Sequence, residues 1–287
     1  MGINIRTNLP ALVGQRNVGA STDKLNQSYQ RLASGLRINR SADDAAGLSI
    51  AENLKSDSTI ATVAIRNAND AISVISIADQ AIGQVSSILN RLSELAQQSA
   101  SGVYDTTQRS ALQNEFTALT SEIERIAVTT KFNGIDLLSN GQNITFQVGF
   151  DGTSLSQLSY NGVNATLQAM GLAVAGSSAS TYSISGATIA DAQSASRLAL
   201  GAISNAIHSV NRNRGTLGAL ESRLNTSINN LQVARENLKA AESQIRDLDV
   251  ASEAAELTRA NILQQAGAAV LAQANQQPTI ALQLLGR

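Results

Sequence analysis

Ile203, Val210, Leu217, Leu224, Leu231, Leu238 and Ile245 stand seven residues apart without a break. Ile207, Leu220, Ile228, Ala234, Ala241 and Leu248 supply a second apolar position within that repeat. A seven-residue spacing keeps one apolar seam on the same side of a helix, and that seam demands a partner helix to cover it. Proline occurs only at Pro10 and Pro278, so nothing breaks a helix between them. The amino-terminal half carries a matching stripe at spacings of mostly three and four: Ala61, Ile65, Ala68, Ile72, Ile75, Ile82, Val85, Leu89, Leu92 and Leu95, interrupted by Asp79. Two helices of about 45 residues each would span ~70 Å. A chain that leaves along one and returns along the other makes a mainly α, long antiparallel helical rod or coiled coil. Its expected core holds Ile65, Ile72, Ile75 and Ile82 on the first helix, facing Leu217, Leu224, Leu231, Leu238 and Ile245 on the second.

Between these helices the pattern changes. "SADDAAG" reads as a helix start, with Ser41 as N-cap and Asp43 and Asp44 in the first turn. The helix should end near Gly102, and a second should cover 106–129 with Leu112, Phe116, Leu119, Ile123 and Ile126 on one face. "ITFQVGF" at 144–150 alternates apolar and polar residues and reads as a strand. "DGTS" at 151–154 is a turn, and Leu155, Leu158 and Tyr160 would return as a second strand. Residues 161–190 are rich in Gly, Ser, Thr and Ala, so the stretch 141–190 reads as a small β-hairpin and surface loop.

The ends repeat the helical theme. Leu25, Tyr29, Leu32 and Leu36 form a stripe over 20–37, and Ile262, Leu263, Ala266, Val270, Leu271 and Ala274 form another. Pro278 opens a last short turn with Ile280, Leu284 and Leu285. No charged side chain occurs from 260 to 286. Eight Asn and Gln residues in that stretch would be costly in a hydrocarbon core, so no membrane insertion is expected. The uncharged tail instead reads as a surface that packs against protein. Weakly amphipathic helices of this kind are marginal alone, so Leu25, Leu32, Leu36, Ile262, Leu263, Val270, Leu271, Leu284 and Leu285 are assigned to self-assembly through paired terminal helices. Six basic residues face one acid in residues 1–40, but they form no cluster and no aromatic residues lie among them. That pattern is a solvated helix face, and no nucleic-acid partner is expected. The start of the chain lacks the apolar core of a secretory signal.

Chemistry is scarce. Cysteine is absent and His208 is the only histidine, so thiol chemistry and sites needing two imidazoles are excluded. Adjacent Asp43 and Asp44 do not face each other on a helix, and the glycines at 149 and 152 lack a phosphate-loop pattern. No enzyme activity, catalytic residue, metal or cofactor is expected.

"LASGLRINRSADDAAGLSIAENL" at 32–54, "KFNGIDLL" at 131–138 and "ILQQAGAAVLAQANQ" at 262–276 resemble the two ends of bacterial flagellin, in the right order and across nearly the whole chain. The resemblance implies a short flagellin with reduced or absent outer variable domains. It implies a non-enzymatic subunit exported through the flagellar type III apparatus without a cleaved signal peptide, polymerising outside the cell into a hollow helical filament for motility. Residues 1–40 with 250–287 would form the inner-tube domain, 41–140 with 191–249 the helical rod domain, and 141–190 the hairpin and loop. The implied partners are further copies of itself, the flagellar cap, hook-junction proteins and an export chaperone that binds the carboxy-terminal helix. In many flagellins a patch on the first rod helices binds the host receptor TLR5. Leu89, Arg91, Glu94, Leu95 and Gln98 match that segment and Glu115 matches the acid of the next helix, while Asn90 and Ser93 stand where the recognised type has Gln and Arg. The alternatives are a hook–filament junction protein, whose ends match less well, or another coiled-coil assembly subunit.

Overall fold

The computed structural model describes the backbone of residues 7–285 and the side chains of residues 7–277. In chain order the elements are α1 (Leu9–Ser34), α2 (Ala45–Ala100), α3 (Thr106–Thr129), β1 (Lys131–Phe132), β2 (Ile135–Asp136), β3 (Ile144–Gln147), a 3-10 turn (Ser154–Ser156), β4 (Gln157–Tyr160), α4 (Ile189–Arg246) and α5 (Val250–Leu285). The fold is mainly α, with two small antiparallel hairpins. Two compact units result, one holding Thr59–Arg235 and the other holding the described residues on either side of it.

In the Thr59–Arg235 unit, α2 buries Ala68, Ala71, Ile75, Ala78, Ile82, Val85, Leu89, Leu92 and Leu95. These side chains form one cluster with Phe116, Ile123 and Ala127 of α3 and with Ala199, Ile203, Val210, Leu217, Leu220, Leu224 and Ile228 of α4. Ile65 and Ile72 are half-buried and pack against it. α2 is long and apolar enough by composition to cross a membrane, but its apolar stripe is consumed by this protein core. The expected second seam position is buried at Leu220 and Ile228 but is corrected at its start. Ala206 is fully buried and Ile207 lies half-buried at the rim, because a small side chain lets the neighbouring elements approach where an isoleucine would hold them apart. Asp79, the break in the α2 stripe, accepts from Arg214 Nε at 3.0 Å. This ion pair ties α2 to α4 beside the seam.

The helix starts follow capping chemistry. Asp105 Oδ1 accepts from Gln108 N at 2.7 Å and Gln108 Oε1 accepts from Asp105 N, a full capping box for α3. For α2 the expected N-cap Ser41 is replaced by Asp44, whose Oδ1 accepts from Gly47 N at 2.8 Å. Asp43 Oδ2 closes the preceding turn by accepting from Asn39 N and Arg40 N. The Arg40 amide above all holds its carboxyl below the usual carboxylate range. That turn delays the helix by three residues beyond Ser41.

β1 and β2 pair Lys131 with Asp136 and Phe132 with Ile135 around Asn133 and Gly134, both at positive φ (48° and 79°). An Asn-Gly turn of this type matches the twist of two strands. β3 and β4 form the expected hairpin, with Ile144 opposite Tyr160 and Gln147 opposite Gln157. The expectation of a surface loop after Tyr160 is corrected. Val163, Ala165, Leu167, Met170, Leu172 and Ile184 are buried in the main cluster. Two backbone amides there are satisfied by side chains of α3. Glu124 Oε2 accepts from Leu167 N at 2.9 Å and Gln113 Oε1 from Ile184 N at 2.7 Å. Without helix or strand periodicity, the six apolar residues carried no pattern that a sequence could reveal.

In the other unit, Gly35 adopts the left-handed conformation (φ 71°) and ends α1, its N–H donating to Arg31 O at 2.8 Å. Leu36 was expected on the α1 stripe. It lies beyond the helix, bridged to Asp247. Arg37 N donates to Arg246 O and Leu248 N to Gly35 O, so the turns that follow α1 and α4 are joined.

Candidate assembly surface

α1 and α5 pack as an antiparallel pair. At its far end Asn8 caps α1 through the Ala11 amide, and its side-chain NH2 donates to Ala274 O at 2.8 Å. A Cβ on Gly14 would lie 3.3 Å from Leu271 Cδ1, and one on Gly267 would lie 2.9 Å from Val18 Cγ2. Each helix therefore contributes a glycine against an aliphatic side chain of the other, which brings the backbones close. Gln264 donates to the Thr22 hydroxyl, and Arg31 meets Glu253 at 3.8 Å. Among the described residues, Leu25, Ala260 and Ala274 are the buried apolar side chains of the pair.

The pairing leaves much apolar surface uncovered. Ile262, Leu263 and Val270 are 60%, 53% and 61% exposed. Leu9, Leu12, Val13 and Tyr29 are exposed on α1. A stable soluble helix would put charge on such a face, yet α5 carries none after Arg259. The residues assigned to self-assembly therefore separate by position. Ile262, Leu263 and Val270 face outward, Leu32, Leu36 and Leu271 are half-buried, and Leu25 is enclosed. The Leu284 and Leu285 side chains lie outside the described residues.

The residues assigned to the rod core also divide. Ile75, Ile82, Leu217, Leu224 and Leu231 are buried. Leu238 and Ile245 are half-buried and belong to the terminal unit, past the Arg235 boundary.

The candidate receptor patch is split by the fold. Leu89 and Leu95 are buried in the core and are not surface residues. Their places on the α2 stripe fix this: the three-and-four spacing turns both inward. Arg91, Glu94 and Glu115 are exposed and meet. Arg91 Nε donates to Glu115 Oε1 and Arg91 NH1 to Glu94 Oε2, both at 2.9 Å. Gln98 is also exposed and donates to the Tyr104 hydroxyl at 3.0 Å.

Arg109 is the structural residue that periodicity did not point to. It is 1% exposed, and its guanidinium donates to the carbonyls of Ser99, Ser101 and Tyr104. It thus closes the end of α2, where carbonyls lack helical partners. A lone Arg in "TTQRSAL" gives no hint of this burial. Among the described residues no group of three His, Asp or Glu side chains could hold a metal ion.

Residues 5–143 match the family described as "Bacterial flagellin N-terminal helical region", and residues 200–285 the "Bacterial flagellin C-terminal helical region". The chain is 43% identical over 282 residues to a flagellin of Halalkalibacterium halodurans, covering 98% of this chain and 99% of that protein. It is 38% identical over 305 residues to a flagellin of Bacillus subtilis, covering 99% and 100%. Flagellin FlaB2 of Treponema pallidum is 36% identical over 291 residues, covering 98% and 99%. With its two ends matched in order, its helices in the matched regions and relatives aligned over nearly their full length, this chain belongs to the bacterial flagellin family.

Proposed function

We propose that this chain polymerises through the outward apolar faces of α1 and α5. As a flagellin it is a structural subunit of the extracellular flagellar filament and not an enzyme. The observation that carries the surface is the exposure of Ile262, Leu263 and Val270 on a helix with no charge beyond Arg259. Further copies of the same pair would cover these faces. The contact is heterologous, one face against a different face of the next copy, and such contacts repeat without limit when they do not close. In this reading residues 1–40 with 250–287 form the inner-tube domain, and residues 41–140 with 191–249 form the rod domain.

The same uncharged α5 face would serve an export chaperone before assembly, when the chain leaves by the type III route. The cap and the hook-junction proteins would meet the pair at the ends of the filament. The exposed Arg91–Glu94–Glu115 cluster, without Leu89 and Leu95, is the surface that TLR5 would read.

Seeded polymerisation tests the main reading. Leu263→Asp and Val270→Asp place a charge on exposed positions, so helix content by circular dichroism should match the parent. Neither variant should elongate filament fragments in electron micrographs. Filaments of normal length from both would overturn the proposal.

A further inference from the structure

Asn-Gly occurs three times within a short stretch, at 133–134, 140–141 and 161–162. Glycine after asparagine removes the side chain that would block the following amide nitrogen from the Asn side-chain carbonyl carbon. All three asparagines are exposed, yet the fold treats them differently. Asn133 sits in the two-residue turn of the β1–β2 hairpin at φ 48°, with the pairs on both sides in register. The Lys131–Asp136 ion pair at 2.9 Å closes its base. The Gly134 amide cannot swing over the Asn133 side chain without opening that hairpin.

Asn161 is clamped from both sides. The preceding Tyr160 is buried, its hydroxyl donating to Leu137 O at 2.8 Å and accepting from Val163 N at 3.2 Å. The following Gly162 is pressed on backbone, since a Cβ there would lie 2.4 Å from Gln142 O. Asn140 is outside both hairpins. Its Oδ1 accepts from Gln142 N at 3.1 Å, which folds the side-chain carbonyl back over the Gly141 peptide and polarises it. A Cβ built on Gly141 would meet only Gly162 O, at 3.9 Å, whereas one on Gly162 would lie 2.5 Å from the Gly141 carbonyl carbon, so the packing against Gly162 falls on the carbonyl side of Gly141 and not on its Cα.

We propose that Asn140 is a self-modifying site, where the folded-back side chain closes on the Gly141 amide and converts asparagine to an acidic residue. The Gly141 nitrogen, losing its proton to water, bonds to Asn140 Cγ. The Cγ–Nδ2 bond breaks, ammonia leaves, and a five-membered succinimide remains. Water then opens either ring carbonyl, giving aspartate or isoaspartate. The sum is one amide and one water converted to one carboxylate and one ammonium ion, with no oxidant or reductant. Each event adds a negative charge at the entry to β3. The isoaspartate product also lengthens the main chain by one carbon where it packs on Gly162. Such marks would accumulate with filament age.

The test uses the intact protein, held folded in mildly alkaline buffer and sampled over time. Digestion before aspartate places the three sites on separate peptides, 105–135, 136–150 and 151–190. Conversion of the 136–150 peptide, read as its isoaspartate form with the mass of an amide-to-acid change together with the 140–150 fragment cut before a new aspartate, should run several-fold faster than that of the other two, while in denaturant the three should convert at similar rates. Asn140→Gln should abolish the conversion of 136–150. Equal or faster conversion of either other peptide in the folded protein, or continued conversion of 136–150 in the variant, would overturn the proposal.

Discussion

At the scale of single residues, the structure rests on a few polar groups whose partners lie far outside any local pattern. Arg109 is the clearest. Its guanidinium serves three carbonyls that the end of α2 and the following turn leave without helical partners. Arg109→Met keeps most of the buried volume but leaves those carbonyls unsatisfied. Each buried orphan acceptor costs about 1–3 kcal/mol, and water reaching the helix end recovers part of it, so the expected loss is about 3 kcal/mol. Urea unfolding measures this, with Arg109→Lys expected to lie between parent and Met variant because an ammonium reaches fewer carbonyls. A Met variant as stable as the parent would mean that the turn is held by other contacts. Gly14 and Gly267 illustrate the opposite device, in which a missing side chain is what lets α1 and α5 meet.

At the scale of elements, the long helices are legible because each repeats one signal many times. Capping fixes where a helix begins, as the Asp105–Gln108 box does for α3. The α2–α3–α4 core is the main source of stability in its unit. Leu224 is fully buried in that cluster. Leu224→Ala should lower unfolding stability by about 3 kcal/mol, the usual loss for a large-to-small change that leaves a cavity. A denaturation midpoint close to the parent's would show that the neighbouring α2 side chains collapse into the space. Loss at Leu238 should be smaller, since that seam position is only half-buried.

At the scale of the molecule, stability is unevenly shared. Among the described residues, the terminal unit buries only Leu25, Ile38, Ala51, Ala260 and Ala274 as apolar side chains, whereas the Thr59–Arg235 unit holds the large cluster. Regions with little buried apolar surface open at low free energy, and a partner that binds only the closed form stabilises it by mass action. Amide hydrogens of α1 and α5 should therefore exchange much faster than those of α4 in the free subunit, and should become protected in the filament. Hydrogen exchange followed by mass spectrometry distinguishes the two. Equal protection of α1, α5 and α4 before assembly would mean that the terminal pair is self-sufficient, and that polymerisation is not what completes it.

The sequence alone determined the helical class, the positions of the long helices, the β3–β4 hairpin and the uncharged character of the tail. Each of these is written in a local period or a local composition, which the backbone must obey wherever it lies. The tertiary structure decided the rest. It put Ala206 rather than Ile207 in the seam, moved the α2 cap from Ser41 to Asp44 and drew the aperiodic segment 163–184 into the core. It also buried Leu89 and Leu95 while leaving Arg91, Glu94 and Glu115 outside, and gave Arg109 its three carbonyls. These outcomes depend on which surfaces distant segments offer each other, and no spacing within one segment encodes that.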